Sequence, residues 1–193
     1  MWIYEANLLY DAKVSYPDPR MAQLLSAQYG GPNGELASAM QYLNQRFDME
    51  NKRVRQLLVD IGTEELAHLE IIGVTIRKLL KGIQPKQARE FGIAQHYVEH
   101  ENGLFYVNPS GNAWTADYLN HVGDPVADMM SNIAAEERAR AVYEHLITLT
   151  DDPSLQDTLR FLRERELVHA ARFQEALYII KEEQNTKKNF YTY

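Results

Sequence analysis

Residues 152–180 read DPSLQDTLRFLRERELVHAARFQEALYII, and their period decides the architecture. Leu155, Leu159, Leu162, then Glu166 and His169, then Phe173, Ala176 or Leu177, and Ile180 follow in steps of three or four, which lines one face of an α-helix. A carboxylate and an imidazole therefore hold two positions where the stripe calls for Leu or Ile. The helix opens on Asp152-Pro153, an N-cap carboxylate that accepts free amide hydrogens followed by a proline with none to donate. Its period carries to about Glu183.

Three further segments share this period. The second helix is expected from about Asn51 to Leu80, with Val54, Leu58, Ile61, Glu65, His68, Ile72, Ile76 and Leu79 in step. There too a Glu-x-x-His pair, Glu65 and His68 in TEELAH, replaces apolar residues. The third opens on Asp124-Pro125 and runs to about Thr150, its stripe Met129, Ile133, Glu136, Arg140, Tyr143 and Ile147. The register through Glu137 meets Glu144 and is less apolar, so Glu136 is the inward carboxylate. Arg140 falls on the same stripe, with an inward and an outward orientation both open. The first segment, about Pro19 to Phe47, is broken at Gly30–Gly34, and offers Glu35 in step with Ala39 and Tyr42.

These segments imply an all-α fold, a four-helix bundle with a long crossover over about 83–123 between helices two and three. That connection lets the two helices run parallel or lie diagonally. It holds a possible short helix around Gln87 and a hairpin-like run, LFYVNPSGNAWTADYL. The chain of 193 residues reads as one domain, 1–193, with a short C-terminal extension at about 184–193 ending in FYTY.

Composition narrows the chemistry. With 20 Lys plus Arg against 27 Asp plus Glu, the net charge is −7 and no basic block stands out, so nucleic acid is not the expected partner. No apolar stretch approaches the ~20 residues of a membrane span, and the start MWIYEANLLYDAK lacks the pattern of a secretory signal. There is no Cys, which excludes Fe–S clusters, Cys-ligated zinc and a thiol nucleophile. Any metal must be held by Glu, Asp and His.

Glu and His three apart lie one turn above the other on a helix. Carboxylates are costly inside a core unless neutralised. Two divalent cations would cancel the four charges of Glu35, Glu65, Glu136 and Glu166, while His68 and His169 each give one metal a lone pair. Oxygen-rich ligation with one imidazole per metal suits Mn or Fe better than Zn or Cu. Two Glu with two Glu-x-x-His motifs is also the donor set of the di-iron and di-manganese carboxylate bundles.

Five stretches carry a resemblance over essentially the whole length: MWIYE, QYGGPNGELASAMQYLNQRF, DIGTEELAHLE, GDPVADMMSNIAAEERARA and DDPSLQDTLRFLRERELVH. The sequence resembles the manganese (non-haem) catalases, and among them the short spore-coat branch, the spore coat protein JC type. The resemblance implies a ferritin-like bundle, two manganese ions per subunit and disproportionation of hydrogen peroxide. It implies Glu35, Glu65, His68, Glu136 and His169 as metal ligands, with Glu65 and Glu136 bridging or flanking the pair. Glu166 would stay off the metals and move protons. A homo-oligomer, with a hexamer in doubt because the C-terminal region is short, and other spore coat proteins are the implied partners. A ferritin-like di-iron protein with Glu166 as an added ligand, and a structural spore-coat protein with a retained but weakly active metal site, are the alternatives. His96 and His100, spaced i, i+4, read as loop or interface residues. His121 and His145 carry no argument.

Overall fold

The computed structural model describes Glu5, residues 7–93 and residues 103–190, the last four of these by backbone alone. Its helices are α1 (Pro19–Gly30), α2 (Glu35–Gln45), α3 (Lys52–Leu79), α4 (Pro85–Glu90), α5 (Pro125–Thr148) and α6 (Pro153–Phe190), with one 3-10 turn at Ala116–Tyr118. Among the described residues there is no strand. The hairpin-like run instead makes a single antiparallel bridge, Val107 to Ala113, around a turn at Asn108–Gly111. α6 continues past Glu183 to Phe190. His96, His100 and the last three residues of FYTY lie outside the described residues.

The start signals act as expected. Asp124 accepts from the Ala127 amide at 2.8 Å, Asp152 accepts from Ser154 and Leu155 at 2.9 and 3.3 Å, and Asn51 caps α3 through the Val54 amide. Gln84 and Gln87 form a reciprocal cap on α4. The break between α1 and α2 depends on missing side chains rather than on unusual torsions. A Cβ on Gly34 would sit 2.6 Å from the Gln28 carbonyl oxygen, and one on Gly30 would sit 2.3 Å from the Val107 amide nitrogen. The close backbone approaches at this break leave no room for a side chain at either position.

Two apolar layers close the bundle. One gathers Met21 and Leu25, Ile71, Ile72 and Leu79, Tyr143 and Leu146, and Leu155, Leu159 and Leu162. The other gathers Tyr42, Val54, Leu58 and Ile61, Met129, Phe173, Ala176 and Ile180. Each fully buried large apolar side chain contributes about 1.5–3 kcal/mol. The order in which helices meet the layers gives their direction. α3 and α5 run from the second layer to the first, whereas α1 continuing into α2, and α6, run from the first to the second. α3 and α5 are therefore parallel, and the long crossover exists to bring the chain back to the same end.

In each of these helices the residues between the layers are polar and buried: Glu35, Glu65 with His68, Glu136, and Glu166 with His169. The bundle is thus an ionisable slab held between two hydrophobic ones. α5 packs most extensively on α6, and α1 and α2 on α3, so each half of the bundle brings its own Glu-x-x-His motif. No described helix is long and apolar enough to cross a membrane.

Candidate metal centre

All six side chains between the layers are at most 1% exposed. Glu65 is central: one carboxylate oxygen lies 2.9 Å from His68 Nδ1 and the other 2.8 Å from His169 Nδ1. Glu35 approaches His68 Nδ1 at 3.6 Å and Glu166 at 3.7 Å, while Glu136 stands 3.7 Å from His169 Nδ1. The two imidazoles lie nearly parallel, 5.6 Å between centroids. Both Nδ1 atoms therefore face the carboxylates.

The donors form two overlapping groups whose candidate ligand atoms all lie within 4.8 Å of one another: Glu35, Glu65, His68 and Glu166, and Glu65, Glu136, Glu166 and His169. Glu65 and Glu166 belong to both. Glu136 belongs to one, so of the two carboxylates expected to bridge or flank the pair, Glu65 stands between the groups and Glu136 at one side. Glu136 Oε2 and both Glu166 oxygens have no hydrogen-bond partner. Buried carboxylate oxygens left unpartnered and aimed at a common space are what a bound cation would satisfy. The residues fit two divalent ions.

Electrostatics in the metal-free protein point the same way. Burial, then the Glu65 charge, pushes Glu35 up to about 8 against the pull of His68. Glu166 is driven well above the carboxylate range by burial and by Glu35, Glu65 and Glu136. Burial and Glu65 also raise Glu136. Burial opposes charge on the imidazoles, but the surrounding carboxylates prevail, taking His169 up to about 12 and His68 well above its usual value. Without cations the slab holds itself together with protons.

Several residues at the site carry no motif in the sequence. Tyr42 donates to Glu136 and Tyr143 to Glu35, each filling one oxygen and leaving the other for the centre. Both tyrosines are fully buried. Their only sequence signal is a hydroxyl-bearing ring on the inward stripe, two turns from a buried Glu. Gln41, Asn132 and Gln45 form a buried chain, Gln41 Nε2 to Asn132 Oδ1 at 2.8 Å and Asn132 Nδ2 to Gln45 Oε1 at 2.7 Å, which ties α2 to α5. Arg140 takes the outward orientation, bonded to Glu137 and Glu144 at 2.8 Å each. Glu137 is half exposed at its side chain and outside the centre. His145 is exposed. His121 is not idle: it bridges Asp128 and Asp48 at 2.9 Å each, pinning the end of the crossover to α5 and to the turn before α3.

Residues 1–190 match the family model described as manganese containing catalase. The chain belongs to the manganese catalase family. It is 54% identical to the protein CotJC of Bacillus subtilis, over 98% of this chain and all of that protein. It is 42% identical to a probable manganese catalase of Clostridium acetobutylicum, over 97% of this chain and 84% of that one. The crystal structure of KatB, a manganese catalase from Anabaena, superposes with a TM-score of 0.87 at 38% identity, covering 94% of this chain and 81% of that one. Family membership makes the cofactor a pair of manganese ions, and the ferritin-like bundle is the fold expected.

Proposed function

We propose that the protein is a dimanganese catalase that converts two molecules of hydrogen peroxide into two of water and one of O2. The observation that carries this is the pair of overlapping, fully buried Glu/His groups sharing Glu65 and Glu166, in a chain of the manganese catalase family. Glu35, Glu65, His68, Glu136 and His169 are the ligands in this reading, within a single domain. The bound manganese pair supplies the two-electron exchange that each half of the disproportionation requires.

The chain's own contribution is to position and to handle protons. Tyr42 and Tyr143 hold Glu136 and Glu35 by one oxygen each. The two apolar layers exclude bulk water, so charge at the centre is set by these side chains. Glu166 is the catalytic carboxylate. Both of its oxygens are free of hydrogen bonds, it touches both donor groups, and burial with three neighbouring carboxylates raises its proton affinity. It can take a proton from peroxide as O2 is formed and return it when the O–O bond of the next peroxide breaks. Glu166→Gln should keep two manganese ions per chain and lose oxygen evolution by about 100-fold or more; full activity with full metal would remove Glu166 from the mechanism.

The identity with CotJC and the spore-coat resemblance of the sequence support assembly into a spore coat as a homo-oligomer alongside other coat proteins. Metal analysis after growth with manganese, read with oxygen release and light scattering, tests these parts together. Two Mn with rapid turnover supports the catalase. Two metals without turnover would favour a purely structural coat role, and iron with ferroxidase activity would place the protein with the iron-oxidising bundles.

A further inference from the structure

With both Nδ1 atoms turned to the carboxylates, each neutral imidazole that gives a lone pair there must carry its proton on Nε2. A buried N–H needs an acceptor. Neither His68 Nε2 nor His169 Nε2 has a hydrogen-bond partner within the slab. Both face the same side chain. Glu64 places Oε1 3.5 Å from His68 Nε2 and Oε2 3.3 Å from His169 Nε2, one oxygen for each ring. The other carboxylates make their nearest approach to the rings at Nδ1. Both separations are at or within hydrogen-bond reach, so a small turn of the carboxylate that aligns it with the two N–H groups makes both bonds.

The carboxylate is itself gripped from outside. Arg165 meets it as a fork, Nε to Oε1 at 2.6 Å and Nη2 to Oε2 at 3.3 Å. That contact fixes the plane of the carboxylate and keeps it ionised. Glu64 precedes Glu65 in α3 and Arg165 precedes Glu166 in α6, so the clamp sits one residue outside the slab on both helices. Both residues line an open cleft of about 1000 Å³ shared with Asp60, Phe161 and the N-terminal Leu8.

We infer that Glu64 is the shared positioning residue of the centre: one carboxylate, set by Arg165, orients both imidazole ligands. It touches neither substrate nor metal. A carboxylate on the far nitrogen of a metal-bound imidazole fixes its tautomer and raises its basicity, and its loss typically weakens binding 10–100-fold. Here a single side chain would act on two metals, which gives the inference a signature. An amide at position 64 offers one acceptor oxygen and one NH2 donor, so it can serve one imidazole and must oppose the other.

The inference rests on the ligand set proposed above, and its test separates the two. Mn(II) affinities are measured by chelator competition on metal-free wild type, Glu64→Gln and Glu64→Ala. The electron paramagnetic resonance signal of the coupled Mn(II) pair and the metal-free melting temperature are recorded for each. Wild type that binds no Mn overturns the ligand reading itself. If wild type binds two, Glu64→Ala should weaken both sites 10–100-fold, and Glu64→Gln should split them, one near wild type and one weakened, with an altered coupled signal. Both sites within twofold of wild type in either variant, or loss at one site only in Glu64→Ala, would overturn the clamp. Should Glu64→Ala fail to fold, the near-isosteric Glu64→Gln decides alone.

Discussion

Loading the centre with manganese should release protons, and their number follows from the slab. In the metal-free protein at pH 7, His169 at about 12 carries a proton and Glu35 at about 8 carries most of one. His68 and Glu166 are displaced in the same direction, well above their usual values, and Glu136 is raised. Ligation requires neutral imidazoles at Nδ1 and ionised carboxylates. His169 and Glu35 set a floor of about two protons, and His68 and Glu136, the remaining displaced ligands, a ceiling of about four, since Glu166 stays off the metals. Each proton makes binding about tenfold tighter per pH unit, about 1.4 kcal/mol. The combined constant for two ions should therefore rise at least about 100-fold per unit near neutrality. Calorimetric titration of Mn(II) at pH 7, in two buffers of different ionisation enthalpy, counts the protons directly. Release of fewer than one per chain would refute the protonated slab. The same groups set the sign of metal-free stability. Glu35 has a folded value above its free one, so its contribution is present below about 4.5 and is lost as pH rises through about 8. His169 acts with the same sign, its contribution lost as pH rises toward about 12. Metal-free protein should weaken toward alkaline pH.

Asp152→Ala removes the cap of α6 together with bonds from the Ser15 amide and hydroxyl at 2.7 and 2.6 Å. It should cost about 3 kcal/mol in chemical denaturation, and a loss below about 1 kcal/mol would mean that the N-terminal tether is slack. At His121 burial opposes the charge, but Asp128 and Asp48 outweigh it and raise the pKa. Its contribution is full below about 6.5 and fades as pH rises through the raised value. The melting gap between wild type and His121→Ala should thus narrow from about pH 6 to pH 9, and a gap independent of pH would mean that the bridge is not ionic. Gly30→Ala presses a methyl into the Val107 backbone and should destabilise by about 1–3 kcal/mol; an unchanged melting temperature would show that the crossover does not rest on the α1–α2 break.

Periodicity made most of the bundle legible, because the core demands apolar side chains every three or four residues and each ionisable intruder stands out against that demand. Glu65, His68, Glu166 and His169 are visible on this ground alone, and Glu136 separates from Glu137 because its register carries Met129, Ile133, Tyr143 and Ile147 whereas that of Glu137 meets Glu144. Tyr42 and Tyr143 were not visible as site residues, since a tyrosine satisfies an apolar stripe and its hydroxyl acts only once a carboxylate from another helix is placed against it. Glu64 was hidden for the opposite reason: it lies off the stripe, and only two imidazoles from different helices make it part of the site. Arg140 falls on the inward stripe, yet its long side chain carries the guanidinium out to Glu137 and Glu144. The run expected as a hairpin has turn residues but one bridging pair. Its backbone is occupied by contact with α1 at Gly30, a neighbour far away in sequence.

The donors come from four stretches of chain, and the first and last, Glu35 and His169, are 134 positions apart (169 − 35 = 134). No local fragment can hold the pair, since Glu136 and His169 from α5 and α6 must meet Glu65 from α3 to complete the second group. The centre is assembled only when loop closure over most of the chain is complete, which places it among the latest contacts to form. Metal uptake is then a checkpoint on folding: a truncated or half-docked chain exposes separate Glu and His residues that bind weakly, and only a finished bundle can retain the pair and handle peroxide.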